Sequence, residues 1–76
     1  VNAQRLIDMA NDIADFFAAE PERAVAIDGV VNHFRRFWAP RMRRTLVAHV
    51  RAHGADGLSE LAHAAVRRLA ELESGA

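Results

Sequence analysis

Seventy-six residues, 51% of them apolar, make enough chain for one core and exclude a second. The absence of cysteine excludes disulfides, iron–sulfur ligation and cysteine-based zinc sites, and gives an oxidising compartment no support. Ten arginines offset ten acids, so no net charge draws the chain to nucleic acid or to an anionic surface.

The first helix follows from Asn2, a residue type suited to an N-cap. Leu6, Met9, Ala10, Ile13, Phe16 and Phe17 then recur at the spacing of one stripe of a 3.6-residue helix. Glu20-Pro21-Glu22 ends it, because proline disfavours helical geometry in the residue before it and suits the first turn of the next helix. A second helix is predicted over 21–37, burying Ala26, Val30, Phe34 and Phe37, with Ile27, Val31 and Trp38 widening the apolar face. Gly29 inside it costs roughly 1 kcal/mol against alanine, which a close helix crossing or a local bend would account for.

Ala39-Pro40 breaks the pattern, and Pro40 suits the first turn of a third helix carrying Met42, Leu46, His49, Val50 and His53 on one face. Gly54 is a natural left-handed stop. After Ala55-Asp56-Gly57, Ser59 is placed to cap a fourth helix with Leu61, Ala62, Ala65, Leu69 and Leu72 on its inner side, before a tail, Glu73 to Ala76, expected to fray. The reading is an all-α single domain over 1–76, about four short helices with antiparallel or steeply crossed neighbours. Its core is thin, since 16 of the apolar residues are alanine, and a domain this short is marginal without help from a partner.

No run approaches the roughly 20 apolar residues of a membrane span, and Val1-Asn2-Ala3-Gln4 lacks the start of a signal peptide. A cytoplasmic protein without a membrane partner is expected. Val1 in place of an initiator methionine leaves room for residues ahead of it, a trimmed signal among them.

Few residues invite chemistry. His49 and His53 have the i, i+4 spacing of two metal ligands on one helix face, but no third ligand is evident and no glutamate stands beside either, so an ordinary pair at the edge of the core explains them better. Asp8, Asp12 and Asp15 share the face of the first helix opposite Met9, Ile13 and Phe16, as a solvated face does. There is no cysteine nucleophile, glycine-rich phosphate loop or serine motif, so the residues give no catalytic, cofactor-binding or metal site.

The charge is unevenly spread: residues 29–55 hold six arginines and no acid, while acids prevail on either side. The densest part is His33-Phe34-Arg35-Arg36-Phe37-Trp38-Ala39-Pro40-Arg41-Met42-Arg43-Arg44. Aromatics among arginines grip nucleic acid through phosphates and stacking, a reading opposed by the zero net charge and the core spacing of Phe34 and Phe37. The alternative is a solvated basic rim over a packed aromatic corner, with some arginines paired to acids of the first and fourth helices.

This segment, with Met9-Ala10-Asn11, Ile13-Ala14, Phe16-Phe17, Leu46 and Gly57-Leu58, resembles the delta-subunit family of NAD-dependent, molybdenum-containing formate dehydrogenase over about residues 5 to 61. Phe37-Trp38-Ala39-Pro40-Arg41-Met42-Arg43 is its most specific string, and Glu60 departs from it, standing where many relatives carry proline. The resemblance implies an accessory subunit, not an enzyme by itself, that binds the catalytic (alpha) subunit and supports assembly or stability of the complex. Bis-molybdopterin guanine dinucleotide, iron–sulfur clusters, FMN and NAD would belong to the larger subunits. Arg35, Arg36, Trp38, Arg41, Arg43 and Arg44 are the expected partner-binding residues, since arginine and tryptophan are frequent interface hot spots. Trp38 is expected to be partly buried at the corner between the second and third helices. Replacing Arg41 or Arg43 by alanine is expected to leave the domain folded and weaken its retention. Self-association of the isolated chain is left open.

Overall fold

Asn2 caps the first helix as its residue type allows, its Oδ1 accepting the Arg5 backbone N–H at 2.9 Å. The structure is a computed structural model and describes residues 2–74. From that cap run α1 (Ala3–Phe17), α2 (Arg23–Phe37), α3 (Pro40–His53) and α4 (Glu60–Ser74), with no strand among the described residues. Pro40 occupies the first turn of α3, and the Ser59 hydroxyl caps α4 by accepting the Ala62 N–H at 3.1 Å. Gly54 stops α3 with φ 83° and ψ −169°, a positive φ as expected but an extended ψ rather than the left-handed helical one. The second helix begins at Arg23 rather than Pro21, and the fourth continues through Glu73 and Ser74, which were expected to fray. Val1, Gly75 and Ala76 lie outside the described residues.

Each helix packs against the other three, α2 against α4 most extensively. The core is one cluster: Leu6, Ala10 and Ala14 of α1, Val30 and Phe34 of α2, Leu46 of α3, and Ala62, Ala65 and Leu69 of α4 are all nearly inaccessible. Alanines at 10, 14, 62 and 65 let the helix axes approach, so the alanine content that thins the core also tightens it. Asn11 ties the α3–α4 connection down. Its Nδ2 donates to the Gly57 carbonyl at 2.7 Å and its Oδ1 accepts the Ser59 N–H at 2.8 Å, satisfying two backbone groups of the connection.

Three inward expectations need correction. Phe16 is 80% exposed, because it lies beyond the arc of α1 that Leu6, Ala10 and Ala14 bury. Phe37 is 69% exposed: its ring lies against His33 and Arg36 rather than among the core residues. Leu72 is 38% exposed near the end of α4, and Val66, not anticipated, is buried in the middle of that helix. Along α3 only Leu46 is fully buried; Met42, His49 and Val50 are half-buried and His53 is exposed.

Gly29 marks a close crossing. A Cβ there would stand 2.5 Å from Cε1 and 2.6 Å from Cδ1 of the Phe17 ring, so the missing side chain lets α1 seat Phe17 on the α2 backbone. Gly29→Ala gains roughly 1 kcal/mol of helix propensity but must displace that ring, and overpacking of this kind costs about 1–3 kcal/mol. The expected result in a urea titration is a lower midpoint. The double variant Gly29→Ala/Phe17→Ala is expected to suffer no further loss from Gly29→Ala, and a midpoint raised by the single change would show that the ring moves aside freely.

Candidate docking surface

The arginine-aromatic segment folds into a corner whose members have separate tasks. Trp38 is 5% exposed, more buried than expected, and its ring packs on Phe34 with centroids 4.6 Å apart at 51°. Its backbone is extended, which ends α2 and lets Pro40 start α3 two residues on. Arg43 holds this corner from the far side. One Nη1 donates to the Trp38 carbonyl at 2.8 Å and, more weakly, to the Arg35 carbonyl at 3.4 Å, while Nε donates to the Glu73 carboxylate at 3.1 Å. The guanidinium thus joins the last carbonyls of α2, where a cation is favoured, to the first turns of α3 and the end of α4. With its side chain only 14% exposed, Arg43 is committed to the fold, as Trp38 is, and neither presents the free surface expected of it.

That assignment corrects the expectation that Arg43→Ala leaves the domain undisturbed. The change strands the Trp38 carbonyl and removes a partner of Glu73; a charge-assisted hydrogen bond of this kind is worth about 1.5–3 kcal/mol. Its melting temperature is expected to fall by roughly 10 °C in a domain of this size. Arg43→Lys should recover only part, since an ammonium lacks the fork that spans both partners. Equal melting of Arg43→Ala and wild type would reduce the clamp to a surface contact.

The other arginines of the segment face outward. Arg35 lies 3.8 Å from Glu73 with about half its side chain in solvent. Arg41 and Arg44 are exposed and make no ion pair among the described residues. Arg36 stands over the Phe37 ring, 5.8 Å from its centroid, and His33 stacks on the same ring at 4.8 Å. The expected pairing with acids is therefore selective: Glu73 of α4 takes Arg43 and Arg35, while Arg23, outside the segment, binds Glu60 with Nη1 2.8 Å from Oε1.

Phe37 belongs to a larger aromatic face. His33 also lines a shallow cavity of about 340 Å³ with Asp12, Ile13, Phe16 and Phe17. Phe16 stands edge-on to Phe17 at 5.2 Å. Phe16, His33 and Phe37 thus make an apolar strip along the α1–α2 seam, edged by Asp12 and by Arg36. Reading by periodicity placed Phe16 and Phe37 inside; of the Phe16-Phe17 doublet it is Phe17 that shares the arc of Leu6, Ala10 and Ala14, and Phe16 stands about 100° round the helix from it.

His49 and His53 stack with centroids 4.8 Å apart, and among the described residues no three His, Asp or Glu side chains converge on a metal position. Asp8, Asp12 and Asp15 are all exposed, Asp8 accepting a hydrogen bond from Gln4 Nε2 at 3.0 Å. No helix of the described residues is long and apolar enough to cross a membrane.

Compared with known proteins, residues 5–66 match the family model of the NADH-dependent formate dehydrogenase delta subunit, FdsD. No curated protein and no solved structure matches the chain.

Proposed function

The chain belongs to the NADH-dependent formate dehydrogenase delta-subunit family, and from that membership we propose that it is a non-catalytic accessory subunit. In this reading it binds the catalytic molybdenum subunit in the cytoplasm and supports assembly or stability of the complex. The observation that carries the reading is the exposed aromatic strip of Phe16, His33 and Phe37. Solvent gains nothing from such a surface, whereas a partner that covers it gains roughly 25 cal/mol for each Å² of apolar area. In this reading the molybdopterin, iron–sulfur and flavin groups of the complex would be held by the larger subunits, and the absence of cysteine here supports that for the clusters.

Deleting the chain from its source cell tests the reading. The expected result is less assembled complex, with lower molybdenum content and lower formate-dependent NAD reduction in extracts. Unchanged values of all three would refute it. The second reading, a nucleic-acid-binding domain, gains one observation: the Phe37 ring is open for stacking and Arg36 stands beside it. It predicts a gel shift at low salt that is lost steeply as salt rises, and no shift disposes of it.

A further inference from the structure

A trough lies along α3 and α4, lined by residues other than those of the aromatic strip. One half, about 330 Å³, is lined by Arg44, Val47, Ala48, Arg51 and Ala70 together with Glu73 and Ser74. It shares Arg44 and Glu73 with a second hollow of about 350 Å³ that Leu72 and Pro40 line, so the two run into one another. Positions 44, 47, 48 and 51 of α3 are i, i+3, i+4 and i+7, one helix face with an arginine at each end and small apolar side chains between. Arg44 and Arg51 are exposed and make no ion pair among the described residues, and the only acid in the lining, Glu73, is already held by Arg43. The trough is therefore apolar along its floor, cationic at both ends of its α3 wall, and without a free carboxylate of its own.

We infer that this trough takes an acidic amphipathic segment of the catalytic subunit, with two carboxylates spaced to meet Arg44 and Arg51 and small apolar side chains between them to fill the floor of Val47, Ala48 and Ala70. The two arginines are two helical turns apart, about 10 Å along the axis. Carboxylates seven residues apart on a docked helix match that interval and lie on one face of it. A helix laid in a groove by its apolar face is a common mode of peptide recognition, and guanidinium forks give such a contact direction as well as charge. A second copy of this chain offers Asp8 and Asp15 at the right interval. Between them, however, its exposed face presents Asp12 and no small apolar side chain, so the floor would be left wet.

The inference rests on the accessory-subunit reading, and the test separates the two. The chain is co-expressed with the formate dehydrogenase subunits as wild type, as Arg44→Glu/Arg51→Glu, and with a photo-crosslinking phenylalanine derivative at Ala48. The double reversal is expected to stay folded and to melt only a few degrees below wild type, since neither arginine is paired in the fold, although Arg51→Glu takes a cation from the last turn of α3 and Arg44→Glu sets a carboxylate near Glu73. Its retention in the purified complex should fall by about tenfold or more, with the loss of the salt sensitivity that wild-type retention shows. The crosslink should map to a segment of the catalytic subunit carrying the two spaced acids, and replacing those acids by arginine should restore retention of the double reversal. Undiminished retention of the double reversal, a crosslink to a segment without acids, or a crosslink to a second copy of this chain overturns the trough assignment while leaving the accessory role standing. A wild-type chain that the subunits do not retain at all removes both.

Discussion

Trp38→Ala is expected to remove most of the stability of the isolated domain. The indole is 5% exposed, packs on Phe34 at 4.6 Å and sits where α2 turns into α3, so its loss opens a cavity at the one point where the arginine clamp also acts. Truncation of a buried tryptophan or phenylalanine costs about 3–5 kcal/mol. Whole domains have about 5–15 kcal/mol, and a chain of this length lies toward the lower end. Far-UV circular dichroism through a urea titration is the measurement, because the variant has no tryptophan left to report by fluorescence. Trp38→Phe should retain most of the midpoint, as it keeps an aromatic on Phe34. A Trp38→Ala midpoint equal to that of wild type would mean that the corner is held by Arg43 and the helix ends alone.

Much of this arrangement was legible in the residues before any coordinates. Asn2, Pro40, Gly54 and Ser59 act where their side-chain chemistry suits them, so the helix ends could be placed to within a residue or two. Gly29 signalled a crossing, and Phe17 is what crosses. The stripe Ala26, Val30 and Phe34 was read correctly because its i, i+4, i+8 spacing keeps all three on the face that the other helices cover. Periodicity failed for Phe16 because its neighbour Phe17 is the one that shares the arc of Leu6, Ala10 and Ala14, and for Phe37 because its ring turns to His33 and Arg36 rather than to the core. Nor does charge patterning tell which arginine of a run turns inward. Arg43 does so because α2 ends with carbonyls to satisfy and Glu73 lies across from it, facts that exist only once three helices have met. The expected site at the arginine corner is consequently divided: Trp38 and Arg43 build the fold, Arg36 edges the aromatic strip, and Arg44 lines the trough.

The opposite of the Trp38 result is expected for Phe37→Ala, which should spare the fold and weaken the complex. The ring is 69% exposed and touches His33 and Arg36 rather than the core, so its removal should change stability by no more than about 0.5 kcal/mol, as for other surface positions. The same ring has Arg36 on one side and lies against His33, which lines the α1–α2 cavity, surroundings in which an aromatic contributes to binding when a partner closes over it. A hot-spot aromatic costs about 2 kcal/mol or more of binding, roughly a thirtyfold loss of affinity. Phe16→Ala, on the same strip and 80% exposed, should act in the same direction, and the double variant should lose less than the sum because the two rings share a partner surface. Co-purification of each variant with the formate dehydrogenase subunits, alongside its melting temperature, separates the two effects. If Phe37→Ala is retained like wild type while the double reversal of Arg44 and Arg51 is not, the α3–α4 trough alone makes the contact. The aromatic strip would then have to be covered by something other than the catalytic subunit.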